Sequence, residues 1–262
     1  MANRLKRLDM DQRIETDEDY LAQLDALQER MLHVQHAYYH DRRRAILVFE
    51  GWDAAGKGGA IRTLTARLDP RGFEVYPIAG PREDEQGRHY LYRFWSRLPV
   101  PGNIAVFDRS WYGRVLVERV EGLIKKKVWR RAYDEINEFE AMLTADGVRI
   151  VKLFLHVTPE EQLKRFRKRL RDPYKRWKLT AEDLRNRERW PLYEEALAEM
   201  FERTDRADAP WHAVPANDKH FARVEVLRIV TETLARNVSL DPPPMDPEFR
   251  KIAAAELGVE IE

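Results

Sequence analysis

The chain contains no cysteine among its 262 residues. Disulfides, thiol nucleophiles and cysteine-ligated zinc sites are therefore excluded, and the absence fits a cytoplasmic protein. No stretch has the roughly 20 apolar residues that a membrane span needs, and residues 1–20 lack the apolar core of a signal peptide. The net charge is only +1. No overall field therefore favours a nucleic acid or a membrane as partner.

The most informative stretch is residues 45–59, AILVFEGWDAAGKGG. An apolar run ends in Gly51-x-x-x-x-Gly56-Lys57, the pattern of a phosphate-binding P-loop (Walker A) between a strand and a helix. The glycines let consecutive N–H groups turn toward an anion, and Lys57 brings a full charge to the transferred phosphoryl group. The alternative is a glycine-rich turn without a ligand. The backbone positions predicted to bind phosphate are Gly51, Ala54, Ala55, Gly56 and Gly58.

The loop departs from the common pattern at Gly58, where serine or threonine normally supplies a hydroxyl ligand to magnesium. Asp53, inside the loop, is a candidate replacement. A second motif, IAVFDRSWYGR at 104–114, ends an apolar strand in Asp108. P-loop enzymes place such an acid beside the phosphate loop, and two carboxylates with phosphate oxygens suit octahedral Mg²⁺. The alternative role for Asp108 is a helix cap.

Arginine is frequent around these motifs, and its planar fork matches phosphate oxygens. Arg109 directly follows the second acid. Residues 160–178, EEQLKRFRKRLRDPYKRWK, hold nine cations and three acids and are interpreted as a basic lid that closes over phosphates. A solvated helix face or a nucleic-acid groove are the alternatives. The arginines predicted to bind phosphate are Arg93, Arg114, Arg119, Arg165, Arg169 and Arg176.

Strands alternate with helices, which predicts an α/β fold with a parallel sheet flanked by helices. We expect an N-terminal helical extension (1–44), a P-loop phosphotransferase core (45–237) with its lid near 160–180, and a C-terminal tail (238–262). The predicted strands are 45–50, 73–78, 104–107, 148–157 and 211–215. The predicted helices are 17–40, 57–68, 128–145, 159–171, 180–205 and 219–236.

Four segments in order resemble the polyphosphate kinase 2 family: GWDAAGKGG (51–59), FDRSWYGRVLVERVEG (107–122), DPYKRWKLTAEDLRNRERW (172–190) and APWHAVPANDKHFAR (209–223). The resemblance implies a thymidylate-kinase-like P-loop kinase fold. It also implies phosphoryl transfer between inorganic polyphosphate and a nucleotide with Mg²⁺, or Mn²⁺ in its place. The family's catalytic positions fall on Asp53, Lys57, Asp108 and Arg109, with Asp53 and Asp108 as metal ligands.

The amino-acid sequence of these motifs is most similar to that of the polyphosphate:AMP phosphotransferase branch, since the diphosphate-specific branch tends to have asparagine at the position of Gly113. AMP is therefore the expected acceptor, with ADP, GDP or dual use as the alternative. A homodimer or homotetramer is expected. Two other classes stay open: an ATP-dependent nucleoside kinase, which Gly58 disfavours, and a non-catalytic polyanion-binding module, which would not need two acids.

Overall fold

The structure is a computed structural model that describes residues 4–258. Five parallel strands form one sheet in the order β2-β3-β1-β4-β5. β1 reads as a continuous apolar run because helices cover both faces of the sheet, and its residues 45–50 are all buried. The predicted parallel sheet of a P-loop kinase fold is confirmed. The strands are β1 (Arg44–Gly51), β2 (Phe73–Pro77), β3 (Ile104–Asp108), β4 (Val148–His156) and β5 (Trp211–Pro215).

Side chains that cap the first turn define several helix starts, among them Thr16, Thr158 and Asp218. The structure divides the helix predicted over 180–205, because α7 ends at Glu188 and α8 starts at Trp190 with a proline in its first turn. The helices are α1 (Asp17–His40), α2 (Lys57–Thr65), α3 (Tyr92–Trp95), α4 (Val117–Val120), α5 (Lys126–Ala145), α6 (Pro159–Arg171), α7 (Ala181–Glu188), α8 (Trp190–Thr204), α9 (Lys219–Ala235) and α10 (Pro247–Leu257).

The strand order brings the two predicted motifs together. β1 lies between β3 and β4, and Phe49 pairs with Asp108 across β1 and β3. The backbone N–H of Arg109 continues this pairing with a 3.0 Å bond to the carbonyl of Phe49. The loop after β1 and the loop after β3 therefore leave the same edge of the sheet, where open α/β folds bind their ligands.

The predicted extension and tail flank this core. α1 packs along α9, and the Tyr38 hydroxyl donates to the carbonyl of Leu234 at 3.2 Å. The tail contains one short helix, α10, and its last four positions, 259–262, lie outside the described residues. The proposed boundaries of extension, core and tail stay predictions. Within residues 4–258, no helix has the length and apolar character needed to cross a membrane.

Candidate active site

The loop between β1 and α2 has the backbone of an anion cradle. Gly51 has φ +151°, and a Cβ there would come within 2.5 Å of the carbonyl oxygen of Leu155, so only glycine fits. Gly56 caps α2 at φ 111°, and Ala54 is left-handed at φ 62°. These positive φ values turn successive N–H groups toward one side of the loop. The loop geometry thus agrees with a phosphate site at the start of α2.

Lys57 is folded back onto its own loop. Its Nζ donates to the carbonyl oxygen of Gly51 at 2.7 Å and to that of Trp52 at 3.3 Å. Burial of the ammonium group, and then the charge of Arg109, lower the pKa of Lys57, while the carboxylates of Asp53 and Asp108 act in the opposite direction. Two carbonyl acceptors hold the side chain at the loop, and a phosphate oxygen is a stronger partner for it.

Asp53 is held from both sides of its carboxylate. Arg109 Nη2 lies 3.2 Å from Asp53 Oδ1, and Asn186 Nδ2 on α7 lies 2.8 Å from Oδ2. The backbone carbonyl of Asp53 accepts from Gln162 Nε2 on α6 at 3.1 Å. Asp53 thus pairs with Arg109, a contact that the sequence did not predict, and α6 and α7 supply two further partners. Asn186 was not predicted, although it lies inside the segment 172–190.

Asp108 lies beside the residue that breaks the P-loop pattern. A Cβ added to Gly58 would meet Asp108 Oδ2 at 3.9 Å. The carboxylate thus lies within reach of the hydroxyl that a serine or threonine would carry at this position. Asp108, at the end of β3, and Asp53, within the loop, supply hard oxygen donors, and this donor set fits Mg²⁺ or Mn²⁺ completed by phosphate oxygens and water.

Glu50, the last buried residue of β1 before the loop, was also missed by sequence reasoning. Its Oε1 accepts from both the backbone N–H and the hydroxyl of Ser110, each at 2.8 Å. Burial raises the pKa of Glu50. These bonds fix Ser110, the residue after Arg109. Arg109 itself has a left-handed φ of 66°. Glu50 therefore connects the start of the phosphate loop to the second motif. Its position at the end of an apolar run was the only available signal.

Arg165 differs from the expected role of a phosphate-binding lid arginine. It is 5% exposed, and its Nη1 donates to the carbonyls of Ala54 and Ala55 at 2.9 Å each. Its Nη2 donates to Ala216 at 2.6 Å and Asn217 at 2.9 Å, in the loop after β5. The guanidinium group thus donates to four backbone carbonyls. Arg165 supports the back of the phosphate loop instead of standing free above it.

Several other basic residues of the lid line a cavity of ≈ 270 Å³ that starts at the loop. Ala54, Ala55, Gly56 and Gly59 form its inner wall, and the first turns of α9 contribute further cations. No carboxylate of the described residues 4–258 lines this cavity, and Arg176, on the exposed turn of the lid, does not line it either. The charged lining residues are Arg165, Lys168, Arg169, Lys175, Lys178, Lys219 and Arg223.

The three arginines predicted outside the lid are engaged elsewhere. Arg119 is bound to Glu199 at 2.6 Å and Glu195 at 2.9 Å, which joins α4 to α8. Arg114 pairs with a glutamate one turn later, and Arg93 donates to a backbone carbonyl in the loop after β2. Within residues 4–258, none of these three guanidinium groups bonds to the loop at 51–57.

The junction of α7 and α8 packs directly on the phosphate loop. The indoles of Trp52 and Trp190 stack at 3.5 Å between ring centroids with an interplanar angle of 4°. Trp52 Nε1 donates to Nδ1 of His156 at 2.9 Å. Burial lowers the pKa of His156 to about 4, so the ring stays neutral and can accept this bond. The start of α8, which follows the predicted lid, is thus already packed on the phosphate loop.

Comparison with known proteins places these features in a family. The profile of the family described as Polyphosphate kinase 2 matches residues 14–241. A Polyphosphate:AMP phosphotransferase of Pseudomonas syringae pv. tomato is 48% identical over 224 residues, which cover 86% of this chain and 45% of the relative. An ADP-polyphosphate phosphotransferase 2 of Rhizobium meliloti is 43% identical over 209 residues, 80% of this chain and 68% of the relative.

A solved structure gives the same result. The crystal structure of Polyphosphate Kinase 2 from Arthrobacter aurescens TC1 superposes with a TM-score of 0.88 at 32% identity, covering 96% of this chain and 92% of the other. The chain spans about half the length of the curated polyphosphate:AMP phosphotransferases that it matches.

Proposed function

Because this chain belongs to the polyphosphate kinase 2 family, we propose that it is an enzyme that moves a phosphoryl group between inorganic polyphosphate and a nucleotide. AMP is the favoured acceptor. The relatives named polyphosphate:AMP phosphotransferase support this choice at 45–48% identity. A relative named ADP-polyphosphate phosphotransferase, at 43% identity, supports ADP as the alternative acceptor.

The observation that carries the proposal is the cavity beside the phosphate loop. Among the described residues its charged lining consists of arginine and lysine, and it begins at the wall formed by Ala54, Ala55 and Gly56. A polyphosphate chain carries a negative charge on every phosphate and needs cations along its whole length. The base of a nucleotide donor would instead need a stacking surface, and no aromatic side chain is among the described residues that line the cavity. The cavity therefore favours polyphosphate over ATP as donor.

The residues around the loop have different roles in the proposed phosphoryl transfer. Asp53 and Asp108 would hold Mg²⁺ or Mn²⁺, which neutralises charge on the phosphate oxygens. Backbone N–H groups of the loop and Lys57 hold the transferred phosphoryl group, and Arg109 stabilises the charge that develops on it. Placement of the acceptor oxygen in line with the phosphorus supplies the rest.

The arginines divide between the two substrates. For the donor we propose Arg169, which lines the cavity, and Arg176 on the exposed turn of the lid. For the acceptor we propose Arg93 and Arg114, which would exchange their present partners for phosphate. Arg119 and Arg165 act instead through the ion pairs and carbonyl bonds that they already make. The lack of cysteine supports a cytoplasmic location, and we keep a homodimer or homotetramer as a proposal.

The decisive experiment follows nucleotide products with polyphosphate as the only donor. Polyphosphate with AMP should yield ADP faster than polyphosphate with ADP yields ATP. Both reactions should need a divalent cation and fail in Lys57→Ala. Use of ADP without AMP would overturn the acceptor alone. If neither nucleotide is phosphorylated while ATP phosphorylates a nucleoside, the proposed function is wrong.

A further inference from the structure

Asn186 contacts the site through an amide that is fixed at both ends. Its Nδ2 donates to Asp53 Oδ2 at 2.8 Å, and its Oδ1 accepts from the Tyr193 hydroxyl at 3.0 Å. A flipped amide would place its carbonyl oxygen against the carboxylate, so the hydrogen bonds define one orientation. Asn186 therefore presents a donor, and only a donor, to Asp53.

The contact leaves Asp53 with free acceptor capacity. An ionised carboxylate offers about four lone-pair sites. Arg109 uses one on Oδ1, and Asn186 uses one on Oδ2. Each oxygen thus keeps one site for another partner, while the rotation of the carboxylate is restrained from two directions. Partners of this kind orient the ligands of metal sites and tune their affinity.

The neighbouring helix α6 holds the backbone of Asp53 and is itself bonded to α7. Gln162 Nε2 donates to its carbonyl at 3.1 Å, and Gln162 Oε1 accepts from Arg187 Nη1 at 3.2 Å. Arg187 follows Asn186 on α7, and three residues further Trp190 stacks on Trp52 of the loop. Consecutive parts of the α7–α8 junction therefore contact two consecutive loop residues, Trp52 and Asp53.

We propose that Asn186 is a positioning residue that orients Asp53 to receive the divalent cation. Docking of α7 on the phosphate loop and completion of the cation site are then one event, since the amide that orients the carboxylate belongs to α7. The inference rests on the proposed function only through the assignment of Asp53 as a metal ligand. It assigns Asn186 no contact with substrate.

The experiment measures Mn²⁺ binding to the protein by loss of the free-ion electron paramagnetic resonance signal, with no nucleotide or polyphosphate present. Asn186→Ala should weaken binding about 3- to 10-fold, the effect expected for loss of one hydrogen bond. Tyr193→Phe, which frees the far end of the amide, should shift binding in the same direction by less. The matched control is Asn137→Ala, which removes an amide on α5 that donates to the carbonyl of Arg203 on α8. This variant should bind Mn²⁺ as the wild type does.

A second readout separates orientation from general damage. In the polyphosphate and AMP assay, Asn186→Ala should need about 3- to 10-fold more Mg²⁺ for half-maximal rate and recover near wild-type turnover at saturating Mg²⁺. Unchanged Mn²⁺ binding in both Asn186→Ala and Tyr193→Phe would overturn the proposal. A turnover that stays low at saturating Mg²⁺ would also overturn it. If wild-type protein binds Mn²⁺ through Asp53 but transfers no phosphoryl group, the proposed function fails while the role of Asn186 stands.

Discussion

Lys152 and Glu140 form an ion pair of 2.8 Å between two side chains with no solvent exposure. Lys152 Nζ also donates to the Thr204 carbonyl at 2.7 Å, and Glu140 Oε1 accepts from the Tyr112 hydroxyl at 2.7 Å and from Trp111 Nε1 at 3.1 Å. The pair therefore joins β4, α5 and the end of α8 to the turn within the second motif that holds Trp111 and Tyr112. A buried charge is tolerated here because every polar atom has a partner.

Loss of one member of this pair should be costly. Lys152→Met should reduce the free energy of unfolding by about 3–5 kcal/mol, since it leaves Glu140 charged and unpaired in the core. Adding Glu140→Gln should restore part of the loss, because a neutral amide still accepts from Tyr112 and Trp111. Urea unfolding at neutral pH measures both. A double variant no more stable than Lys152→Met would contradict this account.

The assignment of Asp53 and Asp108 as metal ligands predicts that removal of either negative charge lowers turnover. Asp108→Asn should lower turnover at least ~10²-fold, because cation positioning supplies much of the rate in phosphoryl transfer. Asp53→Asn should do the same. The matched control is Asp134→Asn on the exposed side of α5, which should keep full turnover. Near wild-type turnover in Asp108→Asn would refute its role as ligand.

Gly58→Ser tests whether the ligand set is complete. The serine has room, since its Cβ would meet Asp108 Oδ2 at an ordinary contact distance of 3.9 Å. We expect no gain in turnover and no lower Mg²⁺ requirement, because the carboxylate already fills the place of the hydroxyl. An increase in turnover would show that the site lacks a ligand.

Substitution of two lid arginines on α6 should have different effects on stability and on polyphosphate binding. Arg165→Ala should lower the melting temperature, since four carbonyls lose their donor and buried unsatisfied acceptors cost about 1–3 kcal/mol each. Arg169→Ala should keep the melting temperature and raise the KM for polyphosphate. Thermal unfolding and steady-state kinetics on both variants decide the matter. Equal melting temperatures would remove the structural role of Arg165.

The buried imidazole of His156 predicts a pH dependence of stability. Its pKa of about 4 in the folded protein lies below the ordinary value of 6.5. As pH falls from 6.5 toward 4, the unfolded chain binds a proton that the folded chain does not, so stability decreases across that window. His156→Asn, which retains an acceptor for Trp52, should lose less stability between pH 7 and 5 than the wild type.

Urea midpoints at the two pH values give this comparison. His36→Asn, at an exposed position of α1, is the control and should follow the wild type. An equal loss in the His156→Asn variant and the wild type would mean that the imidazole does not report on folding in this way.

Most of the fold follows from patterns along the chain. β1 and β4 were predictable because buried parallel strands are continuous apolar runs, and α1 because its apolar residues recur at helical spacing. The break near Arg189 was not predicted, although Pro191 is a possible signal for it, and the structure shows Trp190 after the break stacked on Trp52 of the loop. Local periodicity does not contain that tertiary contact.

The site was predictable where a motif carries its own chemistry. Lys57, Asp53 and Asp108 stand at defined positions relative to the glycines and the strand ends, so their proximity follows from the strand order. The partners of arginine do not follow from spacing. Arg165 and Arg169 are one helical turn apart and both line the cavity, yet Arg165 is buried against backbone carbonyls whereas Arg169 is partly exposed.

The stack of Trp52 on Trp190 gives the protein an optical signal of its own. Two indoles that are parallel and 3.5 Å apart are in van der Waals contact, so each ring forms part of the other's surroundings. One ring belongs to the phosphate loop and the other to the start of α8. Separation of the start of α8 from the loop would therefore change the tryptophan fluorescence, without any label attached to the chain.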